Sequence, residues 1–139
     1  MGPYVRGMRR LGVTCADIIT SEAVAVLRPG SVDRILIDAP CSNTGVMRRR
    51  VDLRWRIREE EIGRLHSVQL GLLAKAAPLL RAGGELVYST CSLEPEENER
   101  VVGEFLASNP WFKAESERGL LPFKDNADGA YVAKLVRTG

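Results

Sequence analysis

Two apolar runs constrain this chain more than any other feature. Residues 32–38, Val-Asp-Arg-Ile-Leu-Ile-Asp, follow the turn signal Arg28-Pro29-Gly30, and residues 85–91, Glu-Leu-Val-Tyr-Ser-Thr-Cys, follow Gly83-Gly84. Both have the length of a buried strand. The first runs into Asp38-Ala39-Pro40-Cys41-Ser42, and proline, lacking an N–H, cannot continue a central strand. Between the runs, Ile62, Leu65, Gln69, Leu72, Leu73, Ala76 and Leu80 recur at steps of three and four. That period predicts a helix over 59–80, with an irregular last turn at Pro78. Arg81-Ala82-Gly83-Gly84 is expected to end it and turn the chain. His66 lies beside the stripe and reads as a partly exposed helix residue.

A second helix is predicted to open at Pro95, with Glu96 and Glu97 at the positive end of its dipole. Val101, Val102, Phe105 and Leu106 give its buried face, and Asn109-Pro110 stops it. Residues 111–116 read as a short strand, and Ala130 to Val136, after Asp128-Gly129, as the last strand of a hairpin. The order is strand, helix, strand, helix, strand, strand. It predicts an α/β fold: a mostly parallel sheet with packed helices and a C-terminal antiparallel hairpin. Ligands of open α/β sheets bind outside the carboxyl ends of the strands. Asp38, Pro40, Cys41, Cys91 and Ser92 all fall there.

The 139 residues suffice for one small domain, and 45% hydrophobic with 27% charged residues is ordinary for a globular protein. No apolar run approaches the ~20 residues that span a bilayer, so no membrane partner is expected. The opening residues show no signal-peptide stretch, which makes a cytoplasmic location the expectation. Cys15, Cys41 and Cys91, with His66 alone beside them, lack the spacing of a zinc site. We therefore read free thiols and no metal. A free cysteine is more often a small buried hydrophobe than a nucleophile, but strand-end placement weakens that reading for Cys41 and Cys91. The net charge of +2 says little about partners. Arg48, Arg49, Arg50, Arg54, Arg56 and Arg58, with Trp55 among them, suit phosphate contact and base stacking. A solvated loop running into a charged helix start explains them equally well.

Asp38-Ala39-Pro40-Cys41-Ser42 and Ser89-Thr90-Cys91-Ser92, taken together, resemble the Nop/Sun (Sun/Fmu-type) family of RNA 5-methylcytosine methyltransferases. Gly83 to Tyr88 before the second motif and Pro95-Glu96-Glu97-Asn98-Glu99 after it resemble the family as well. So does Asp128 to Ala133, where Ala130 replaces one of a usual aromatic pair. The likeness runs from about Arg9 to Leu135. It implies a Rossmann-like class I methyltransferase domain that uses S-adenosylmethionine on RNA, with ribosomal RNA ahead of transfer RNA as substrate. By resemblance, Cys91 is the nucleophile that adds to cytosine C6, and Cys41 helps resolve the adduct. Asp38 bonds the base near N3 and lies close to the cofactor, beside Pro40. Asp17 matches an aspartate that contacts the cofactor adenine. Arg48, Arg49, Arg50, Arg54 and Trp55 lie toward the RNA. Cys15 has no family role and is assigned to packing.

The resemblance also implies that the chain is the C-terminal half of the catalytic domain. The family's glycine-rich cofactor turn and its ribose-binding acid have no counterpart here, and Gly83-Gly84 lies in the wrong place. Weak cofactor binding by this chain alone is therefore expected. The two strands that in the family separate the Asp17 strand from residues 32–38 are missing as well. The expectation is a homodimer through that bare edge, or an N-terminal segment displaced to cover it. Two competing readings are a non-catalytic RNA-binding or assembly module that keeps the fold, and a generic α/β domain whose cysteines only pack.

Overall fold

A computed structural model describes residues 3–16, 26–55 and 57–139, with Pro3 and Arg54 described in their backbone only. Among the described residues, eight helices and strands follow one another: α1 (Pro3–Arg10), β1 (Val32–Asp38), α2 (Glu59–Ala76), β2 (Leu80–Thr90), α3 (Glu99–Ser108), β3 (Phe112–Leu120), α4 (Pro122–Asp125) and β4 (Ala130–Arg137). Single-turn 3₁₀ segments at Thr44–Val46, Val51–Trp55, Ala77–Leu79 and Pro95–Glu97 join them.

The strands form one mixed sheet in the order β1-β2-β4-β3. β1 and β2 run parallel through the crossover helix α2, while β4 lies antiparallel to both β2 and β3. The expected α/β sheet with a terminal hairpin is thus present, and among the described strands β1/β2 is its parallel pair. Alternation sets the faces. Leu86, Tyr88, Ala133, Leu135 and Tyr131 point to the side covered by α2 and α3, where Leu73, Val101, Val102 and Phe105 complete the core. Tyr88 and Tyr131 meet edge-on at 6.4 Å between ring centres, and Phe105 and Phe112 at 5.2 Å. On the opposite face Leu36 is 70% exposed.

The predicted helix over 59–80 is shorter than its apolar period. Pro78 has no N–H to extend the ladder, so α2 stops at Ala76 and a 3₁₀ turn carries the chain into β2 at Leu80. Gly83-Gly84 therefore ends no helix. The pairing jumps from Val32–Leu80 to Arg34–Glu85, so residues 81–84 bulge out of the strand. Gly83 takes the left-handed φ of 72° that this bulge requires.

Candidate functional site

The carboxyl ends of β1 and β2 lie side by side, with Asp38 paired to Ser89. Beyond them the chain turns twice, and each turn presents a cysteine. The two sulfurs, Cys41 Sγ and Cys91 Sγ, are 3.2 Å apart. Both side chains are half-buried, and both are free thiols. Asp38 stands exposed at the end of β1, and its Oδ1 accepts from Ser89 Oγ at 3.4 Å. Asp38, Ser89, Cys91, Arg118, Ala130, Tyr131 and Val132 line one open cleft of about 500 Å³.

The proton arrangement around the thiols follows from Asn43. Its backbone is left-handed, with φ of 62°, a conformation asparagine tolerates better than most residues. Its Nδ2 donates to the Cys41 carbonyl at 2.8 Å, which fixes the amide orientation and leaves Oδ1 to accept from Cys91 Sγ at 2.8 Å. Cys91 spends its only proton on that bond. The bond between the sulfurs must then be donated by Cys41. Burial, and next the bond to Cys91, push the Cys41 thiol up to about 12, which keeps it protonated as the donor.

Behind the thiols lies a buried polar cluster centred on Glu97, which is 0% exposed. Oε1 accepts from the Ser42 N–H at 2.9 Å and from Gln69 Nε2 at 3.1 Å. Oε2 accepts from the hydroxyls of Ser42 and Ser92, each at 2.5 Å. Tyr88 Oη donates to the Glu97 carbonyl at 2.7 Å. Burial raises the Tyr88 hydroxyl above its ordinary range, and the neighbouring Glu97 adds to the effect. The expectation that Glu97 faces a helix dipole fails here. The residues after Pro95 form a 3₁₀ turn instead, α3 starts only at Glu99, and Glu97 turns inward.

Gly45 brings a third segment to the site. Its N–H donates to the Cys91 carbonyl at 3.0 Å, and its own carbonyl accepts from Gly129 N–H at 2.8 Å. The Asp128-Gly129 turn before β4 is thereby fastened to both cysteine turns.

The expected arginine surface is only partly assembled. Arg48 and Arg49 reach Asp128 at 3.5 and 3.1 Å. Arg50 is exposed, and Trp55 is 86% exposed on a 3₁₀ turn. The side chain of Arg54, and Arg56 altogether, lie outside the described residues. The arginine that lines the cleft with Cys91 is Arg118 on β3, which has no ion-pair partner among the described residues. Sequence reading did not single it out, nor Asn43. The signal for Glu97 was the serine that follows each cysteine, two hydroxyls in need of one acceptor.

Asp17 also lies outside the described residues. Toward a cofactor, the described residues offer Asp38 and Pro40, both exposed at the end of β1. The double glycine sits at the other end of that strand pair, in the bulge beside Asp33 and Arg34. Two exposed residues at one strand end do not by themselves hold a cofactor. Among the described residues, no group of histidine, cysteine and carboxylate side chains could hold a metal ion, and no helix is long and apolar enough to cross a membrane.

Comparison with known proteins agrees with this geometry. The family model described as 16S rRNA methyltransferase RsmB/F matches residues 4–136. Ribosomal RNA small subunit methyltransferase B of Proteus mirabilis (strain HI4320) is 44% identical over 103 residues, covering 74% of this chain and 24% of the relative. The chain therefore spans about a quarter of the length of such relatives. The structure of NSun6 from Pyrococcus horikoshii with SFG superposes with a TM-score of 0.81 at 28% identity, over 97% of this chain and 38% of that one. A methyltransferase homolog from Pyrococcus horikoshii gives 0.76 at 27%, over 96% and 48%. With two cysteine turns meeting at the ends of neighbouring parallel strands in a Rossmann-like sheet, and with the family model matching nearly all of its residues, the chain belongs to the RsmB/F, or Sun-type, family of 16S rRNA methyltransferases.

Proposed function

We propose that this chain is the C-terminal half of the catalytic domain of an RNA cytosine-C5 methyltransferase acting on ribosomal RNA, with Cys91 as nucleophile. The observation that carries the reading is the 3.2 Å approach of Cys41 Sγ to the sulfur of Cys91, which lines one cleft with Asp38. Cytosine C5 is a weak nucleophile. When Cys91 Sγ bonds to C6, the C5=C6 electron pair becomes available at C5, and one hard step becomes two easier ones. Asp38 bonds the ring near N3, where charge develops. Bound S-adenosylmethionine supplies the methyl group that C5 takes up. Cys41 then helps resolve the adduct: the C5 proton leaves, its pair restores C5=C6, and the C6–S pair returns to Cys91.

The Cys41 S–H already points at Cys91 Sγ, the atom that attacks C6 in this reading. Arg118 is assigned to an RNA phosphate, a contact that gives affinity without sequence choice. The outer edge of β1 carries no ladder partner among the described residues, and such an edge templates another strand. The reading keeps both expected occupants of this edge, a second copy of the chain or a displaced N-terminal segment, of which residues 17–25 lie outside the described residues; monomer mass in light scattering would remove the homodimer.

The test is a covalent trap. Fluorine at C5 cannot leave as a proton, so RNA with 5-fluorocytosine should stay bonded to Cys91. The chain is assayed alone and with the N-terminal half of a family relative supplied. A crosslink that maps to Cys91 and disappears in Cys91→Ser supports the reading. RNA binding with no adduct in either condition overturns it in favour of a non-catalytic RNA-binding module.

A further inference from the structure

We propose that Glu97 is a positioning residue, the clamp that holds the two thiols within reach of each other. Cys41 and Cys91 belong to separate turns fifty residues apart, and no backbone bond between those turns joins the two cysteines directly. The turns also meet through Gly45 N–H on the Cys91 carbonyl, Cys91 Sγ on Asn43 Oδ1 and a 3.3 Å approach of the Ser42 and Ser92 hydroxyls, but one carboxyl group gathers the residues that directly follow both cysteines. Ser42 follows Cys41, and Ser92 follows Cys91. Both hydroxyl protons go to Glu97 Oε2, and the Ser42 N–H goes to Oε1. Gln69 Nε2 bonds both Glu97 Oε1 and the carbonyl of Pro40, the residue before Cys41, and thereby ties the clamp to α2.

Alternative partners are few. Ser42 and Ser92 are 9% and 1% exposed, so neither hydroxyl can turn to bulk water. Ser92 gives its one proton to Glu97 Oε2 at 2.5 Å, so in the 3.2 Å contact with Ser92 Oγ the Thr44 hydroxyl is the donor. The clamp touches neither sulfur. It acts through the backbone on each side of the thiols, so a change at Glu97 should alter their separation before it alters either thiol itself.

The clamp's existence does not depend on the catalytic reading. Its consequence for turnover does, since it rests on Cys91 as nucleophile and Cys41 as resolving thiol. The test separates the two. The 139-residue chain is equilibrated with oxidised and reduced glutathione. Cys41 and Cys91 give two electrons and two protons to one oxidised glutathione, yielding a protein disulfide and two reduced glutathiones. The ratio at equilibrium reports how strongly the fold holds the sulfurs together. Glu97→Gln keeps the shape but offers an N–H₂ where a donor already points. It should lower the equilibrium constant at least tenfold while the circular dichroism of the fold is retained. Ser42→Ala, which removes one hydroxyl arm, should fall between wild type and Glu97→Gln. Glu96→Gln, on the same turn and paired outward to Arg100, should leave the constant unchanged.

A folded Glu97→Gln chain with the wild-type constant would overturn the proposal, as would an equal loss in Glu96→Gln. If Glu97→Gln does not fold, Ser42→Ala decides, and a wild-type constant there overturns the clamp as well. The fluorocytosine trap remains a separate result. A clamp that passes with no adduct would remove the catalytic reading only. Where the adduct forms, the Glu97→Gln chain should resolve it more slowly on ordinary cytosine RNA, with the KM for RNA unchanged.

Discussion

Replacing Gly45 with alanine tests how tightly the site is built. A Cβ at Gly45 would lie 2.2 Å from the Gly129 carbonyl oxygen, 2.6 Å from its carbon and 2.8 Å from the Cys91 carbonyl oxygen. All three are backbone atoms, so no flexible side chain can swing away. The turn must move, and the bonds from Gly45 N–H to Cys91 and from Gly129 N–H to Gly45 stretch with it. Overpacking costs about 1–3 kcal/mol, and two lost hydrogen bonds about 1 kcal/mol each, so the variant should lose about 3–5 kcal/mol. For a chain of this length each kcal/mol moves the melting point by roughly 3–4 °C, which predicts a fall of about 10–20 °C. Thermal melts by circular dichroism, with urea titration alongside, measure it. A methyl group added at Gly63, inside α2, would meet nothing within 4 Å, so Gly63→Ala is the matched control. It should gain up to about 1 kcal/mol from helix propensity. A Gly45→Ala chain that melts within about 2 °C of wild type would refute the close approach.

Three further outcomes are expected. His66 is pulled down by burial, but its bonds to the Glu96 carbonyl and to Glu104 outweigh this and raise it above 6.5. A raised folded value means that His66 stabilises the fold below its unfolded value and loses that contribution as pH climbs from about 6.5 through the folded one. Urea midpoints against pH should show this decline, and an unchanged profile in His66→Gln would contradict it. Arg118→Gln should weaken RNA binding several-fold and lower its salt slope by about one, as loss of one phosphate contact does. Filter binding at several salt concentrations with an unaltered slope would remove Arg118 from the RNA surface. Calorimetry with S-adenosylmethionine on the 139-residue chain should show no micromolar binding. A micromolar Kd would mean that more than Asp38 and Pro40 holds the cofactor.

The strands and the main helices were legible because each carries an uninterrupted pattern. Residues 32–38 read as a strand and are one, residues 85–91 read as a strand and are one through Thr90, and Leu65, Gln69, Leu73 and Ala76 are buried as the helical period requires. Boundaries were less legible where local and tertiary demands compete. Gly83-Gly84 suits a helix cap and a bulge equally, and only pairing with β1 decides for the bulge. Neither α1 nor α4 was legible. α1 puts Tyr4 into solvent, and α4 is a four-residue turn ending at the left-handed Asn126. At the site, the meeting of Cys41 with Cys91 could be inferred from two strand ends joined by one crossover. The surroundings of those thiols could not, because Asn43 reaches Cys91, Glu97 gathers the adjoining serines and Arg118 enters the cleft only through turn geometry and a hairpin register that no periodic pattern records.

The approach of the two sulfurs also fixes how many thiols a bulky alkylating reagent can count. At 3.2 Å they are already in contact, so a maleimide placed on one fills the space from which the other would be attacked. Cys15, expected from the sequence to pack, is instead exposed and reacts independently. The native chain should therefore titrate as a two-thiol protein and the unfolded chain as a three-thiol protein. The missing equivalent reappears on denaturation without any disulfide having been present.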